Sequence, residues 1–164
     1  MPDSWTFRPF RLSDAPRLAA WLDESTLPAS SALDEELEWA RRLLADPRIE
    51  VEVLQNEGEA GGPPRVLGFL RLDLAPDRSA EITLLVDPER RRRGIGRFLC
   101  DHALEFGRRL DLQRLVAVVA EENTAARELF TGAGYDWNGS VPGHHRFDRL
   151  IHASGTADPL EIEP

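Results

Sequence analysis

The sequence contains no lysine; all 20 of its basic side chains are arginine. It holds one cysteine, one methionine and one tyrosine in 164 residues. Without lysine there is no P-loop, because G-x-x-x-x-G-K-[ST] needs that side chain on the nucleotide phosphates. The lone Cys100 forms no internal disulfide, which agrees with a reducing compartment. His102 has no cysteine or histidine at ligand spacing, so no metal is expected. No Gly-x-Ser-x-Gly element points to a serine hydrolase. No apolar run approaches the ~20 residues that cross a bilayer, and MPDSWTFRPF lacks the apolar core of a signal peptide. A cytoplasmic protein without membrane contact is the expectation.

A hydrophobic content of 41% and a charged content of 30% fit a soluble globular chain, and the length fits one domain. The charge is uneven. Residues 1–60 carry 13 acids against six arginines, whereas residues 61–150 carry 13 acids and 14 arginines. An acidic N-terminal part can attract a cationic partner, or it can merely keep the protein soluble.

Residues 84–99 read LLVDPERRRRGIGRFL. An apolar strand enters Asp87-Pro88, then four arginines, then Gly94-Ile95-Gly96, then an amphipathic helix. A helix N-terminus presents unpaired N–H groups and partial positive charge, which attract phosphate. Gly94 and Gly96 have no Cβ to keep a bulky anion away. Arg91, Arg92, Arg93 and Arg97 add planar, permanently charged donors. The chemistry is that of a pyrophosphate site. A dinucleotide fingerprint is excluded, because the third glycine of G-x-G-x-x-G would fall on Leu99 and the strand comes too late in the chain. A nucleic-acid patch is disfavoured by the net charge of −9 and by the lack of flanking aromatic residues.

Along the chain, residues 4–10 alternate as a strand, and Ser13 can cap a helix to about Leu22. Residues 25–32 read as a loop. A second helix covers roughly 34–45, with Leu33, Leu37, Ala40 and Leu44 on its apolar stripe. Val51 and Val53 mark a half-exposed strand, residues 56–64 a connection, and residues 65–74 and 80–86 two more strands. A long helix spans about 95–110, and the apolar, β-branched run 115–120 suits a buried strand. Asn123 or Thr124 caps a helix ending near Gly132, residues 134–137 and 145–151 form the last strands, and 153–164 read as a disordered tail.

The segment Arg91-Arg92-Arg93-Gly94-Ile95-Gly96 resembles the coenzyme A-binding motif of the GNAT acetyltransferase superfamily, Q/R-x-x-G-x-G/A after a strand. The order β-α-α-β-β-β-α-β-α-β-β is also that family's. TFRPFRLSDAPRLAAWL resembles its usual opening, Asn123-Thr124-Ala125-Ala126 its N-x-x-A turn, and GAGY at 132–135 its G-[FY] element. The resemblance covers residues 5–150. It implies one α/β domain over residues 1–152, with a mixed central sheet, a splayed parallel strand pair (80–86 and 115–120) and about four flanking helices.

The resemblance further implies an acetyl-CoA-dependent N-acetyltransferase that moves the acetyl group directly to a primary amine. Leu84, Leu85 and Val86 would pair with the pantetheine arm, and the Val86 N–H would face the thioester. Arg91, Arg92, Arg93, Gly94, Ile95, Gly96 and Arg97 would hold the pyrophosphate. Glu81 is the candidate general base, read otherwise as a solvated strand-end acid. Asn123 would contact the pantetheine arm, or it is a plain helix N-cap. The tyrosine that many relatives use to protonate the departing thiolate is replaced by Phe130. That departure motivates the alternative of a non-catalytic acyl-CoA-binding module.

Glu24, Glu35, Glu36, His144 and His145 could face the acceptor or be surface groups. Cys100 reads as core, and Trp21 and Trp39 read as helix-face packing or as lining of the acceptor cleft. The segments LDEELEWARRLLADPRIEVEVL, VLGFLRLDL and AEITLLVDPE resemble acetyltransferases of amino-sugar nucleotides. A small amine or a peptide amine both fit the acceptor role. Relatives are commonly homodimers, though no residue here argues for one.

Overall fold

The computed structural model describes residues 4–21, 33–58 and 61–151. Alternating apolar residues make its strands, and stripes at helical spacing make its helices. In chain order they are β1 (Trp5–Pro9), α1 (Ala15–Trp21), α2 (Leu33–Ala45), β2 (Ile49–Asn56), β3 (Arg65–Leu74), β4 (Ser79–Val86), α3 (Ile95–Arg109), β5 (Arg114–Ala120), α4 (Thr124–Gly132), β6 (Asp136–Val141) and β7 (His144–Leu150). One seven-stranded mixed sheet runs β1-β2-β3-β4-β5-β7-β6. Its parallel ladder, β4 on β5, runs from Ser79–Arg114 to Glu81–Val116. The expected α/β class, with a parallel strand pair and four helices among the described residues, is the observed one. Glu24, the loop 25–32 and the tail 153–164 lie outside the described residues, as do the side chains of Glu35 and Glu36.

The chain divides into two compact units. The first is Met1–Asp73 with Thr83–Leu99. Its core joins Phe10, Leu18, Leu43, Val53 and Phe69, with Trp21, Trp39 and Leu85 packed against them. Phe10 meets Trp39 and Phe69 edge-on at 6.1 and 5.9 Å, a favoured aromatic geometry. Gly68 sits so close to Leu99 that a Cβ there would meet its side chain at 3.0 Å. Two expectations are corrected in this unit. Leu44 is half exposed and Leu43 is buried in its place, so the stripe turns inward one residue earlier. The helical segment after β1 starts at Leu12 with Arg11 as its N-cap, so Ser13 lies inside it; the Asp14 carboxylate accepts the Arg11 N–H (2.8 Å) and a bidentate Arg8 pair.

The second unit is Leu74–Ile82 with Cys100–Pro164. Leu115, Ala117 and Val119 of β5 are buried beside Phe147, while Val118 is exposed, so this strand is buried on one face only. The last hairpin also differs from the sequence reading. Gly134 (φ +90°) and Tyr135 do not begin a strand. The Gly134 N–H bonds Thr131 O and the Tyr135 N–H bonds Phe130 O, which closes α4 in a Schellman turn. β6 therefore starts at Asp136.

On this unit's sheet, Asp148 accepts from Arg146 (2.8 Å) and Asn138 (2.8 Å) and lies 3.5 Å from Arg114. Burial raises its pKa, but the hydrogen bonds and the Arg146 charge outweigh this and hold it below the ordinary aspartate value. A lowered folded value contributes stability that is fully present above the unfolded pKa of about 3.9 and is lost as pH falls through the folded one. We expect acid titration of Asp148→Asn to show a smaller loss of stability below about pH 4 than the parent chain, with circular dichroism as the readout. Parallel titration curves would contradict it.

Candidate active site

The glycine–arginine turn lies in the first unit. β4 ends at Val86, a 3-10 turn covers Pro88–Arg90, and α3 opens at Ile95. Between them the backbone takes two left-handed residues, Arg92 (φ +64°) and Gly94 (φ +82°). Such alternation turns successive N–H groups into one concavity that suits an anion. A Cβ built on Gly94 meets nothing within 4 Å, so the space above the turn is open. Arg91, Arg92 and Arg93 are exposed and have no carboxylate partner among the described residues. Ile95 is buried and anchors the first turn of α3, Gly96 is half-buried, and Arg97 is exposed. Leu84, Leu85 and Val86 are each half-buried at the end of β4.

Reading the sequence missed Asp87. Its side chain is 3% exposed, yet it touches three arginines and the backbone of the turn. The signal was present, since an aspartate just before Pro88 at a strand end can accept the N–H two residues on.

Glu81, Asn123 and Phe130 lie in the second unit. Glu81 is exposed and stands opposite Val116 at the last pair of the parallel ladder. The alternation buried, exposed, buried, exposed over Ala80, Glu81, Ile82 and Thr83 sets its side to solvent. Asn123 caps α4, its side-chain oxygen accepting the Ala126 N–H at 3.0 Å. Phe130 is buried, and its ring meets Tyr135 edge-on with centroids 5.0 Å apart. His144 is exposed at the start of β7, and His145 is half-buried, with its Nδ1 3.1 Å from Ser140 Oγ. Cys100 is buried in α3, as expected. Among the described residues no group of three or more His, Cys, Asp or Glu side chains could hold a metal ion.

Tyr135 is the chain's single tyrosine, and its hydroxyl is buried with no hydrogen-bond partner among the described groups. Burial, with a smaller contribution from Cys100, pushes the phenol far above its ordinary pKa. A phenol so placed neither reaches a substrate nor gives up a proton. Tyr135→Phe should therefore leave any turnover unchanged and raise stability by up to about 1 kcal/mol, because it removes an unpaired buried hydroxyl. Thermal unfolding together with a pH–rate profile checks this. A loss of stability would mean the hydroxyl has a partner.

A mixed sheet with a parallel pair, followed by an arginine–glycine turn that opens a helix, defines an α/β fold with exposed positive charge at that turn. The chain belongs to the acetyltransferase (GNAT) family, whose description matches residues 15–135. A mycothiol acetyltransferase of Geodermatophilus obscurus is 38% identical over 133 residues, which is 80% of this chain and 34% of that protein. The chain thus spans about a third of the length of this curated relative. A spermidine N-acetyltransferase from Vibrio cholerae, solved in complex with CoA and spermine, superposes with a TM-score of 0.76 at 20% identity, covering 91% of this chain and 96% of that one. A dodecameric structure of the same enzyme in an intermediate state gives 0.74 at 21%, covering 91% and 95%. At these identities the likeness to solved structures is one of fold. No described helix is long and apolar enough to cross a membrane.

Proposed function

We propose that this chain transfers an acetyl group from acetyl-CoA directly to a primary amine. The observation that carries the reading is the turn before α3, where three exposed arginines, Arg91, Arg92 and Arg93, have no carboxylate partner among the described residues and the backbone is left-handed at Arg92 and Gly94. Arg90 is held by Asp87, and the three exposed charges that follow it attract a polyanion. The open space at Gly94, which a Cβ would fill, fits a diphosphate, and the guanidiniums of Arg91, Arg92, Arg93 and Arg97 supply donors for it. When bound, the cosubstrate supplies an acetyl group already activated as a thioester.

The chain's own residues do the rest. Leu84, Leu85 and Val86 offer backbone to the pantetheine arm, and the Val86 N–H is the oxyanion donor. Ile95 and Gly96 hold the first turn of α3, and Asn123 and Phe130 border the pantetheine arm, as in the family. Glu81 takes the proton from the acceptor ammonium, through water, so that the nitrogen has a free lone pair. No activated nucleophile stands among the described residues, and the acetyl group passes to the amine without an acyl-enzyme step. Thiolate, with a pKa of about 8.5, leaves without a protein acid and takes its proton from water.

We further propose that residues 1–152 act as one catalytic domain in the cytoplasm, with no metal, nucleic acid or membrane in the reaction. The acidic N-terminal part favours a cationic acceptor over a nucleotide-bearing one. Amino sugars, polyamines and peptide N-termini are the classes to screen, and the spermidine acetyltransferase among the structural neighbours makes polyamines a starting point.

Calorimetric titration with acetyl-CoA tests the reading. Micromolar binding is expected, followed by thiol release with at least one amine class. A folded protein that does not bind acetyl-CoA would overturn it. One observation favours a second reading, a non-catalytic acyl-CoA-binding module: Phe130 has no hydroxyl and that of Tyr135 is buried, so neither offers an acid to the thiolate. Binding without thiol release across the screen would select it.

A further inference from the structure

We infer that Asp87 is the positioning residue of the phosphate turn, an assignment that rests on the acetyl-CoA reading of that turn. Its two carboxylate oxygens divide the work. Oδ1 accepts the Glu89 N–H at 3.0 Å and so closes the 3-10 turn from within. Oδ2 faces outward to three guanidiniums: Arg17 Nη2 on α1 at 3.4 Å, Arg65 Nη2 at the start of β3 at 3.4 Å, and Arg90 Nε in the turn at 3.9 Å. The backbone of the same residue is used at both ends. Its N–H bonds Leu67 O (2.9 Å), and its carbonyl accepts the Arg90 N–H (2.9 Å). One buried aspartate thus fastens the turn to β3 and α1 while setting its internal geometry.

The cost of this arrangement is visible. Arg17 Nε and Arg65 Nε are buried without a hydrogen-bond partner among the described residues. Orphaned donors of that kind destabilise a fold and persist where something else requires them. The left-handed Arg92 adds backbone strain five residues on, and a left-handed non-glycine residue holds only where its surroundings determine it. Asp87 and its arginines supply that determination. They hold residues 88–94 in the anion-binding shape before any cosubstrate arrives, so less ordering is left for binding to drive.

Charge alone and geometry predict opposite signs. Asp87 is a negative group beside a site for a polyanion. If its charge were all that mattered, Asp87→Asn would tighten binding of CoA. If Asp87 positions the turn, the substitution weakens binding, because the amide keeps one acceptor for Glu89 and loses the hold on Arg17, Arg65 and Arg90. Asp87→Glu keeps the charge and displaces the oxygens, so it weakens binding as well.

The test uses calorimetric titration of the full chain with CoA, and amide exchange of peptides covering residues 88–98 and residues 49–56. The expected result is a Kd for CoA raised roughly tenfold in both variants. Exchange should be faster in 88–98 and unchanged in 49–56. An unchanged or lower Kd would overturn the proposal. So would equal loss of protection in both segments, which would make Asp87 a general fold residue; Asp87→Glu carries the test if Asp87→Asn does not fold. If the unsubstituted chain binds no CoA, the acetyl-CoA reading falls instead, and the exchange comparison alone decides whether Asp87 orders the turn.

Discussion

Glu81→Gln should lower kcat by about 100- to 10,000-fold, the range that a positioned general base contributes, while acetyl-CoA affinity stays unchanged. The substitution is close to isosteric and removes only the proton-accepting charge. Glu81 is exposed on β4, and the substitution touches no buried group, so the fold should lose no more than about 0.5 kcal/mol. Its placement favours the assignment. Ala80 and Ile82 face inward on either side, and strand alternation leaves Glu81 directed to solvent at the last pair of the parallel ladder. Equal turnover in both proteins, measured by thiol release with the best acceptor from the screen, would remove Glu81 from the mechanism. It would then be the solvated strand acid of the alternative reading.

Gly94→Val is expected to raise the Kd for acetyl-CoA by roughly 100-fold or more. Two effects act in the same direction. Gly94 has φ +82°, a region from which β-branched residues are nearly excluded, so the turn must change shape to accept valine. The added side chain also enters the open space above the turn, where no protein atom now lies within 4 Å of a Cβ. Gly94→Asn separates the two, since asparagine tolerates the left-handed region but still has a Cβ. We expect its thermal stability to recover to the parent's and its cosubstrate affinity to remain low. Recovery of both would show that backbone strain alone excludes valine, and that the phosphates do not need the glycine's empty side. Parent-like affinity in Gly94→Val would contradict the phosphate assignment of the turn.

Much of this protein was legible from local signals. Strand alternation, helical stripes and turn residues are short-range, so the element order and the α/β class could be read before any tertiary contact was known. The arginine–glycine turn was legible for the same reason, as its chemistry lies within seven consecutive residues. Where long-range contacts decide, the reading failed. The choice between Leu43 and Leu44 depends on where Phe10, Val53 and Phe69 stand. One miss was local instead: β6 starts late because a Schellman turn at the end of α4 consumes Gly134 and Tyr135.

The sequence by itself determined the class of fold and the family, because period-2 and period-3.6 patterns and a contiguous motif carry that information without reference to distant residues. Only the tertiary structure decided that Tyr135 has no access to solvent, and that Val118 is exposed on a strand that reads as uniformly apolar. Only it showed Asp87 at the centre of three arginines drawn from residues 17, 65 and 90. Burial and ion pairing are properties of what the folded chain brings near. Residues 70 and 22 positions apart meet at one carboxylate because the sheet and α1 carry them there, and no local pattern records such a meeting.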